Sequence, residues 1–452
     1  MGKYFGTDGV RGKANEFLTP ELAFNLGRAG AYVLTKNQKT APKIIVASDS
    51  RQSGDMLQAA LTAGLCSIGA TVYHAGVLPT PAVACLVKKY SLNAGVMISA
   101  SHNPMEDNGI KFFNNEGYKL PDSLENEIER IIDDILSGKD TLPRPTGVNV
   151  GTVVSSKNTL QDYADFLTNI VPNLSLKGYK VVLDCANGAT SKIAPFVFQQ
   201  LGAELHVLSN EPDGTNINKN CGSTHMENLQ AKVKELSADV GFAFDGDGDR
   251  ALAVDEKGEI VDGDKILAIC GLEMFKNKEL DTIVATVMSN QGFESFCNKN
   301  GIKLFRTDVG DRYVLEKMLE DNLPLGGEQS GHVIFKNHNT TGDGLLTVLK
   351  LAEIMVEKKK PISTLTSVME TYPQILVNTV VPNERKSELF TNEKIKKAQE
   401  EIVAKMAGDG RILIRPSGTE PLVRVMIEGK NKENIEAWAV ELADLIGSVL
   451  NC

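Results

Sequence analysis

The chain has 452 residues, of which 42% are hydrophobic and 23% charged, and its formal net charge at pH 7 is -10. This length exceeds what one ordinary hydrophobic core organises, and it predicts about three or four domains. The acidic balance argues against general binding of nucleic acids or anionic membrane surfaces, but it allows a local basic pocket that takes phosphate.

Cysteine usage and hydropathy favour a cytoplasmic protein. The seven cysteines are dispersed without a CxxC pair, which predicts reduced thiols rather than a disulfide framework or a zinc site. The N-terminal segment has no apolar signal core, and the most apolar stretch, near residues 59–72, is too short to span a bilayer. We therefore expect no membrane partner.

The first polar segment of the chain, 6–12, places three glycines around Arg11. Close-spaced glycines let the backbone approach a ligand, and an arginine can fork onto a phosphate. For this pattern taken alone, a solvated N-terminal loop is the favoured alternative.

Three later segments repeat one order of elements: a strand, a helix, a turn that contains glycine, and a second strand. The predicted strand pairs are 43–48 with 71–74, 180–184 with 204–208, and 282–287 with 303–306. The intervening helices are expected to end near residues 68, 201 and 300. This recurrence predicts an α/β fold with three similar domains whose sheets are mixed but largely parallel.

From about residue 373 the pattern changes to a strand, a helix at 392–406, two strands and a final helix at 432–450. This order predicts a smaller α+β domain at the C-terminal end of the chain. We place the four domains at residues 1–152, 153–255, 256–370 and 371–452.

Ser101 follows a predicted strand. Val96 and Ile98 lie in a short apolar run, which is typical of a buried strand, and Ser-Ala-Ser-His-Asn-Pro follows at 99–104. The Asn-Pro pair turns the chain, so Ser101 lies where open α/β sheets place their chemistry. An ordinary turn serine is the alternative.

Lys111 lies ten residues further along, among apolar neighbours. Such surroundings would lower the pKa of its ammonium group and make it a proton carrier. The alternative is that it pairs with a carboxylate.

An acidic cluster, Asp-Gly-Asp-Gly-Asp-Arg at 245–250, lies between the apolar runs 240–244 and 251–254. In an extended segment alternate side chains point the same way, so Asp245, Asp247 and Asp249 would converge. Like charges about 4 Å apart repel by about 1–4 kcal/mol per pair. Such a cluster must be open to water or hold a cation, and three hard oxygen ligands favour Mg²⁺ over zinc.

Two other interpretations of this cluster remain. An EF-hand loop also begins D-x-D-x-D, but Arg250 stands where glycine is required, and predicted strands rather than helices flank the loop. A solvated acidic turn is the second alternative.

A polar loop at 326–332, Gly-Gly-Glu-Gln-Ser-Gly-His, lies between two short apolar runs. Glu328 and Ser330 offer an acceptor and a hydroxyl on one side, which suits vicinal sugar hydroxyls. His332 titrates near neutrality and can move protons, although a structural histidine is the alternative.

The last motif lies between the predicted strands 411–415 and 422–427 and has the sequence Pro-Ser-Gly-Thr-Glu-Pro. Arginines, hydroxyls and glycine-permitted backbone N–H groups together favour a phosphate cradle. Its predicted members are Arg415, Ser417, Gly418, Thr419 and Arg424.

These four motifs, in this order and over the whole chain, resemble those of the α-D-phosphohexomutases. Within that family, the segments 5–12, 309–314 and 326–332 are similar to the bacterial members that act on glucosamine phosphates. The resemblance implies four domains around a central cleft, with three similar domains and a mobile C-terminal cap.

The resemblance also implies residue roles. Ser101 would carry a phosphoryl group beside one Mg²⁺, for which Ser101, Asp245, Asp247 and Asp249 are the expected ligands. Glu328, Gln329 and Ser330 would hold the sugar, and the residues of the phosphate cradle would hold the phosphate that does not react. The expected catalytic residues, together with Ser101, are Arg11, His102, Lys111, Arg250 and His332.

The implied activity is conversion of glucosamine 6-phosphate to glucosamine 1-phosphate, with glucosamine 1,6-bisphosphate as intermediate and activator. This step would feed UDP-N-acetylglucosamine and cell-wall precursor synthesis. The expected partners are a small hexosamine phosphate and a second copy of the chain in a homodimer. The alternatives are a phosphomannomutase or phosphoglucomutase with the same mechanism, a metal-dependent phosphatase, and a non-catalytic sugar-phosphate sensor.

Overall fold

A computed structural model describes residues 2–6, 8–38, 40–417 and 421–451 of the chain. The chain divides into two compact units, of which the first contains Met1–Met288 and Ile302–Val368 and the second contains Ser289–Gly301 and Met369–Cys452. The first unit holds three α/β sheets and the second holds a smaller antiparallel sheet. This architecture confirms the predicted fold class.

The first sheet has seven strands in the order β1-β2-β6-β5-β3-β4-β7. Its strands are β1 (Phe5–Gly6), β2 (Gly9–Lys13), β3 (Lys43–Ser48), β4 (Thr71–Val77), β5 (Ala94–Ile98), β6 (Asp107–Phe113) and β7 (Val153–Ser155). Its helices are α1 (Pro20–Thr35), α2 (Ser53–Ser67), α3 (Thr80–Lys89) and α4 (Asp122–Leu136). Strands β3, β4, β5 and β7 pair in parallel, whereas β6, β2 and β1 complete the sheet in antiparallel pairs.

The polar segment 6–12 is part of this sheet. Strand β2 carries Arg11 and pairs with β6, with Arg11 opposite Gly109. The alternative of a solvated N-terminal loop is therefore wrong, because the main chain on both sides of Asp8 is hydrogen-bonded within the sheet.

Close helix contact stabilises the first domain. Thr19 caps α1 by accepting the Leu22 N–H at 3.2 Å, as expected for a threonine that precedes a proline-initiated helix. A Cβ atom at Gly27 would lie 2.5 Å from the Leu61 carbonyl oxygen. Glycine is required there because α1 and α2 approach backbone to backbone.

The second sheet has five strands in the order β12-β11-β10-β8-β9. Its strands are β8 (Lys180–Asp184), β9 (Glu204–Leu208), β10 (Val240–Phe244), β11 (Ala251–Asp255) and β12 (Ile260–Val261), and its helices are α5 (Thr159–Ile170), α6 (Ile193–Gln200) and α7 (Glu227–Leu236). The pairs β8–β9 and β8–β10 are parallel, and β11 pairs antiparallel with β10.

The third sheet has four strands in the order β14-β13-β15-β16. The elements of this part of the chain are α8 (Gly263–Lys276), β13 (Thr282–Thr286), α9 (Gln291–Asn300), β14 (Lys303–Thr307), α10 (Asp311–Glu320), β15 (Leu325–Gly327), β16 (Val333–Phe335), α11 (Gly344–Lys358) and α12 (Ile362–Thr366). Strand β13 pairs in parallel with β14 and β15, and β16 pairs antiparallel with β15. Helix α9 belongs to the second compact unit, although the sequence predicts it as the connection between β13 and β14.

One topological feature is common to the three α/β sheets. In each, a parallel strand is followed by a polar loop and then by an antiparallel neighbour: β5 to β6, β10 to β11, and β15 to β16. These three loops contain Ser101, the acidic cluster and Glu328. The equivalent position in each sheet therefore carries one of the predicted motifs.

The second compact unit has a three-stranded antiparallel sheet in the order β17-β19-β18. Its strands are β17 (Gln374–Val380), β18 (Gly410–Pro416) and β19 (Leu422–Gly429). The helices α13 (Glu393–Met406) and α14 (Lys432–Leu450) belong to the same unit. Asn392 caps α13 with its side chain, and α14 has the bounds that the sequence predicts. In the described part of the chain six cysteines are free thiols, and no helix there is apolar over a length that would cross a membrane.

Candidate active site

Ser101 lies just beyond the end of strand β5, in a buried turn. Its side chain is 1% exposed, and its φ of 54° places the backbone in the left-handed region, which a residue other than glycine adopts at a cost in free energy. The Oγ atom donates a hydrogen bond to Asp245 Oδ2 at 2.6 Å. Two loops from different sheets therefore meet at this hydroxyl.

The three aspartates of the acidic cluster converge in a tight turn between β10 and β11. One carboxylate oxygen from each of Asp245, Asp247 and Asp249 lies within 4.8 Å of the other two, and all three residues are buried. The expectation of an extended segment is wrong, because the chain turns within 245–249 and Gly248 has a φ of 69°. Convergence thus follows from the glycine-permitted turn rather than from strand alternation.

The metal loop, as we name residues 245–250, approaches the Ser101 turn closely. A Cβ atom at Gly246 would lie 2.5 Å from the Ser101 carbonyl oxygen, so only glycine fits between the two loops. Strands rather than helices flank the metal loop, which argues against an EF-hand, and burial of the carboxylates argues against a solvated acidic turn.

The charges of the cluster suit a divalent cation. Burial raises the pKa of the Asp245 carboxyl well above its usual range, and Asp247 and Asp249 raise it further. Asp247 Oδ1 is buried and accepts no hydrogen bond from the described residues. Buried carboxylate oxygens without donors are costly unless a cation binds them, and a set of hard oxygen ligands fits Mg²⁺.

Lys111 lies on β6 and contacts the metal loop. Its Nζ atom is 2.7 Å from Asp247 Oδ2 and 2.9 Å from Asp8 Oδ2. Burial acts to lower the pKa of the Lys111 ammonium, but Asp247 and Asp8 outweigh it and the pKa is raised. The expectation of a lowered pKa is wrong, and the alternative of a carboxylate-paired lysine holds.

Asp8 connects Lys111 to Arg11. Its carboxylate accepts from the Arg11 guanidinium and also lies 2.6 Å from Lys119 Nζ. Burial alone would raise the pKa of Asp8, but Lys111, Lys119 and Arg11 hold it well below its usual range. Asp8 is therefore an anion that orients three cations.

His332 and Asp311 belong to the same network. His332 Nδ1 is 3.6 Å from Asp249 Oδ1, and its Nε2 is 3.6 Å from Asp311 Oδ2. Asp311 in turn pairs with Lys119 at 2.5 Å. Burial acts to lower the pKa of His332, but the two carboxylates outweigh it and raise it. Gly342 N–H donates to His332 Nε2 at 3.1 Å, so the ring proton lies on Nδ1, which faces Asp249.

His102 and Arg250 lie near Ser101. His102 Nδ1 lies 3.3 Å from Ser101 Oγ and 3.2 Å from Arg250 Nη1. Burial and the guanidinium groups of Arg250 and Arg11 lower the pKa of His102. His102 is therefore favoured in its neutral form, which can accept a proton.

The predicted sugar loop lies between β15 and β16. Glu328 and His332 are hydrogen-bonded through their main chains at 3.0 Å, and Glu328 is 9% exposed. Ser330 is exposed at the tip of the loop, whereas Gln329 Nε2 donates to Asp262 Oδ2 at 3.3 Å. Burial acts to lower the pKa of the Arg250 guanidinium, but nearby carboxylates outweigh it and raise that pKa. Asp249 and Asp245 contribute more to this rise than Glu328 does.

The predicted phosphate cradle lies in the second compact unit. Arg415 on β18 and Arg424 on β19 stand directly opposite each other in the antiparallel register and are both exposed. Ser417 follows β18, and its carbonyl accepts a hydrogen bond from Lys386 Nζ at 2.5 Å. Gly418 and Thr419 lie outside the described residues.

Three charged residues of the site are missing from the predicted site residues, although Asp8 and Asp311 lie within the singled-out segments 5–12 and 309–314. Asp8, Lys119 and Asp311 belong to the network around Lys111 but are not among the predicted site residues, and Lys119 and Asp311 are 192 positions apart. Single charged residues this far apart in the sequence give no sign that they are partners. Only the fold brings these groups together.

The comparison with protein families covers nearly the whole chain. Four family models match in the expected order: phosphoglucomutase/phosphomannomutase alpha/beta/alpha domain I at residues 2–139, domain II at 161–258, domain III at 262–372 and the C-terminal domain at 376–445. The chain belongs to the phosphoglucomutase/phosphomannomutase family, the group of α-D-phosphohexomutases that its motifs resemble.

Individual relatives narrow this class. A protein of Ruminiclostridium cellulolyticum named phosphoglucosamine mutase is 56% identical over 449 residues, which is 99% of each chain. Among solved structures, a phosphoglucomutase/phosphomannomutase family protein from Burkholderia thailandensis is 24% identical with a TM-score of 0.80, covering 98% of this chain and 97% of its own. Aspergillus fumigatus N-acetylphosphoglucosamine mutase, solved with GlcNAc-6P and magnesium, is 17% identical with a TM-score of 0.70, covering 99% and 96%.

Proposed function

We propose that the chain interconverts glucosamine 6-phosphate and glucosamine 1-phosphate, using Ser101 as a phosphoryl carrier and a 1,6-bisphosphate as intermediate. The single observation that carries this proposal is the contact of Ser101 Oγ with the acidic cluster, 2.6 Å from Asp245 Oδ2. The 56% identical relative named phosphoglucosamine mutase supports the choice of an amino sugar.

The charges around Ser101 favour a bound metal ion. A phosphoserine carries about -1.5 to -2 charges at neutral pH, and a carboxylate at hydrogen-bond distance would repel it. Asp245, Asp247 and Asp249 would hold Mg²⁺ together with an oxygen of the Ser101 phosphoryl group. A bound Mg²⁺ supplies neutralising charge at the transferring group.

The other side chains of the site are proposed to transfer protons and to stabilise charge during the reaction. In each half-reaction the P–O bond to Ser101 Oγ breaks as a P–O bond to the sugar 1- or 6-oxygen forms, or the reverse. The attacking hydroxyl gives up its proton and the leaving oxygen takes one up, and His102 and His332 are the candidates that accept and return this proton. The cations of Arg11, Lys111 and Arg250 stabilise the charge that the transferring phosphoryl group carries.

Recognition of the sugar and of its second phosphate completes the proposal. Glu328 and Ser330 are proposed to hold the ring hydroxyls, with Gln329 beside them, and the phosphate cradle to bind the phosphate that is not transferred. The 1-phosphate and the 6-phosphate of the bisphosphate intermediate occupy the same transfer site in turn. Return of the other phosphate to Ser101 then converts one positional isomer into the other. The homodimer and the cytoplasmic location remain predictions.

Substrate preference tests this proposal against the related mutases. The specificity constant kcat/KM for glucosamine 6-phosphate is expected to exceed that for mannose 1-phosphate by about 10-fold or more, because a site built for one substituent loses hydrogen bonds with the other. Steady-state assays with both substrates measure this ratio. A higher kcat/KM for mannose 1-phosphate would identify a phosphomannomutase, and steady release of inorganic phosphate would identify a phosphatase.

A further inference from the structure

Arg51 lies in the turn after strand β3 and holds the Ser101 loop, which we define as residues 101–107. Arg51 is 3% exposed, and its guanidinium donates hydrogen bonds to four main-chain carbonyl oxygens of this loop. The acceptors are the carbonyls of Ser101 at 2.9 Å, Asn103 at 2.8 Å, Asp107 at 3.0 Å and Pro104. One side chain thus fixes the path of the loop at four points.

Asp49 orients this guanidinium and reaches Ser101 by a second route. Its Oδ2 accepts from Arg51 Nε at 2.9 Å and from Ser99 Oγ at 2.5 Å. Ser99 Oγ accepts the Ser101 N–H at 3.0 Å. The main-chain N–H and C=O of Ser101 are therefore both held by one buried frame that originates at Asp49 and Arg51.

The frame is suited to a residue in an unfavourable backbone conformation. Ser101 has a φ of 54°, so its backbone stays in place only where neighbouring groups over-determine it. Asn218 Nδ2 donates to two of the carbonyls that Arg51 also contacts. It lies 2.9 Å from the Ser101 oxygen and 3.1 Å from the Asn103 oxygen. Because the main chain fixes the Cβ atom from which Oγ extends, these bonds limit where the hydroxyl can lie relative to Asp245.

We infer that Arg51, oriented by Asp49, is a positioning residue for phosphoryl transfer at Ser101. This inference rests on the proposed function. Arginine is required because a planar guanidinium presents five donors in a fixed fork, whereas an ammonium is a point charge with three rotatable donors. Lysine can keep the ion pair with Asp49 but cannot reach four carbonyls.

The test is the Arg51→Lys variant, with Arg28→Lys as its matched control. Arg28 is also a buried arginine of the first domain, but it pairs with Asp140 at 2.6 Å. Arg51→Lys is expected to lower kcat by about 10- to 100-fold, since a small misplacement of a reacting group has effects of this size. KM for glucosamine 6-phosphate is expected to change less than about 3-fold, because Arg51 is not placed in sugar recognition.

Hydrogen exchange provides a readout that does not depend on turnover. Amides of residues 99–107 are expected to exchange faster in Arg51→Lys than in the wild type, while Arg28→Lys leaves that segment protected. If Arg51→Lys does not fold, Asp49→Asn replaces it, and the same loss in kcat with the same exchange pattern is expected. A kcat within about 3-fold of wild type in the folded variant, or an equal loss in Arg28→Lys, would overturn the inference.

The outcomes separate this inference from the proposed function. Wild-type protein that does not interconvert the two glucosamine phosphates would refute the proposed function itself. Active wild-type protein with an equally active Arg51→Lys variant would refute only the positioning role.

Discussion

Replacement of Ser101 by alanine is expected to abolish interconversion of the two glucosamine phosphates, with kcat lower by a factor on the order of 10³ or more. The reason is that the proposed reaction has no route without a covalent phosphoryl carrier. The fold should survive, because alanine removes one hydroxyl and leaves the main-chain bonds to Arg51 and Asn218 in place. A coupled isomerase assay on purified protein measures the loss.

Ser137→Ala is the control for this substitution, since Ser137 is an exposed serine that follows helix α4. It is expected to have wild-type kcat. Intact-mass measurement should detect one phosphoryl group on wild type and on Ser137→Ala, and none on Ser101→Ala. Near-normal turnover of folded Ser101→Ala would exclude the proposed mechanism.

The second large effect is expected from Asp247→Asn. Asp247 contributes a buried oxygen with no hydrogen-bond donor among the described residues. Its replacement by a neutral amide therefore removes one charged ligand of the proposed cation. We expect kcat to fall by about 10²- to 10³-fold, the size typical of losing one electrostatic contact at a reacting centre.

Stability provides the independent readout for Asp247→Asn. A cation that binds only the folded state adds about 2.7 kcal/mol to the unfolding free energy at a concentration of 100 Kd. Mg²⁺ should therefore raise the unfolding midpoint of the wild type and of the control Asp281→Asn, whose side chain is 72% exposed, but not that of Asp247→Asn. Equal Mg²⁺ stabilisation of all three proteins would place the metal elsewhere.

Much of the fold is predictable because the parallel strands are short apolar runs bounded by turn residues. Strands β8 and β9 have the predicted bounds. Strand β4 extends to Val77, three residues beyond the prediction, because a register irregularity beside Ala47 lets pairing with β3 continue past His74. Such irregularities depend on the partner strand and have no local signal.

The candidate site is predictable where its chemistry is concentrated in one segment. Ser101 and the acidic cluster each follow a buried strand, and motifs of this kind carry their own signal. The reason given for convergence of the aspartates was wrong, since the turn at Gly248 rather than an extended backbone brings them together.

The remainder of the site depends on distant pairs. Lys111 was expected to have a lowered pKa because its sequence neighbours are apolar, but its spatial neighbours are Asp8 and Asp247. Arg51 likewise has no motif of its own, although it contacts a loop 50 positions away. Electrostatic partners follow from tertiary packing, which one sequence does not display.

Transfer of a label from Ser101 to the sugar is the most direct measurement of the central claim. Protein carrying radiolabelled phosphate on Ser101 is mixed with unlabelled glucosamine 6-phosphate and stopped within a single turnover. The account predicts that label leaves the peptide containing Ser101 and is found in the hexosamine bisphosphate and monophosphates. Label that remains on the protein, or that is released only as inorganic phosphate, would contradict it.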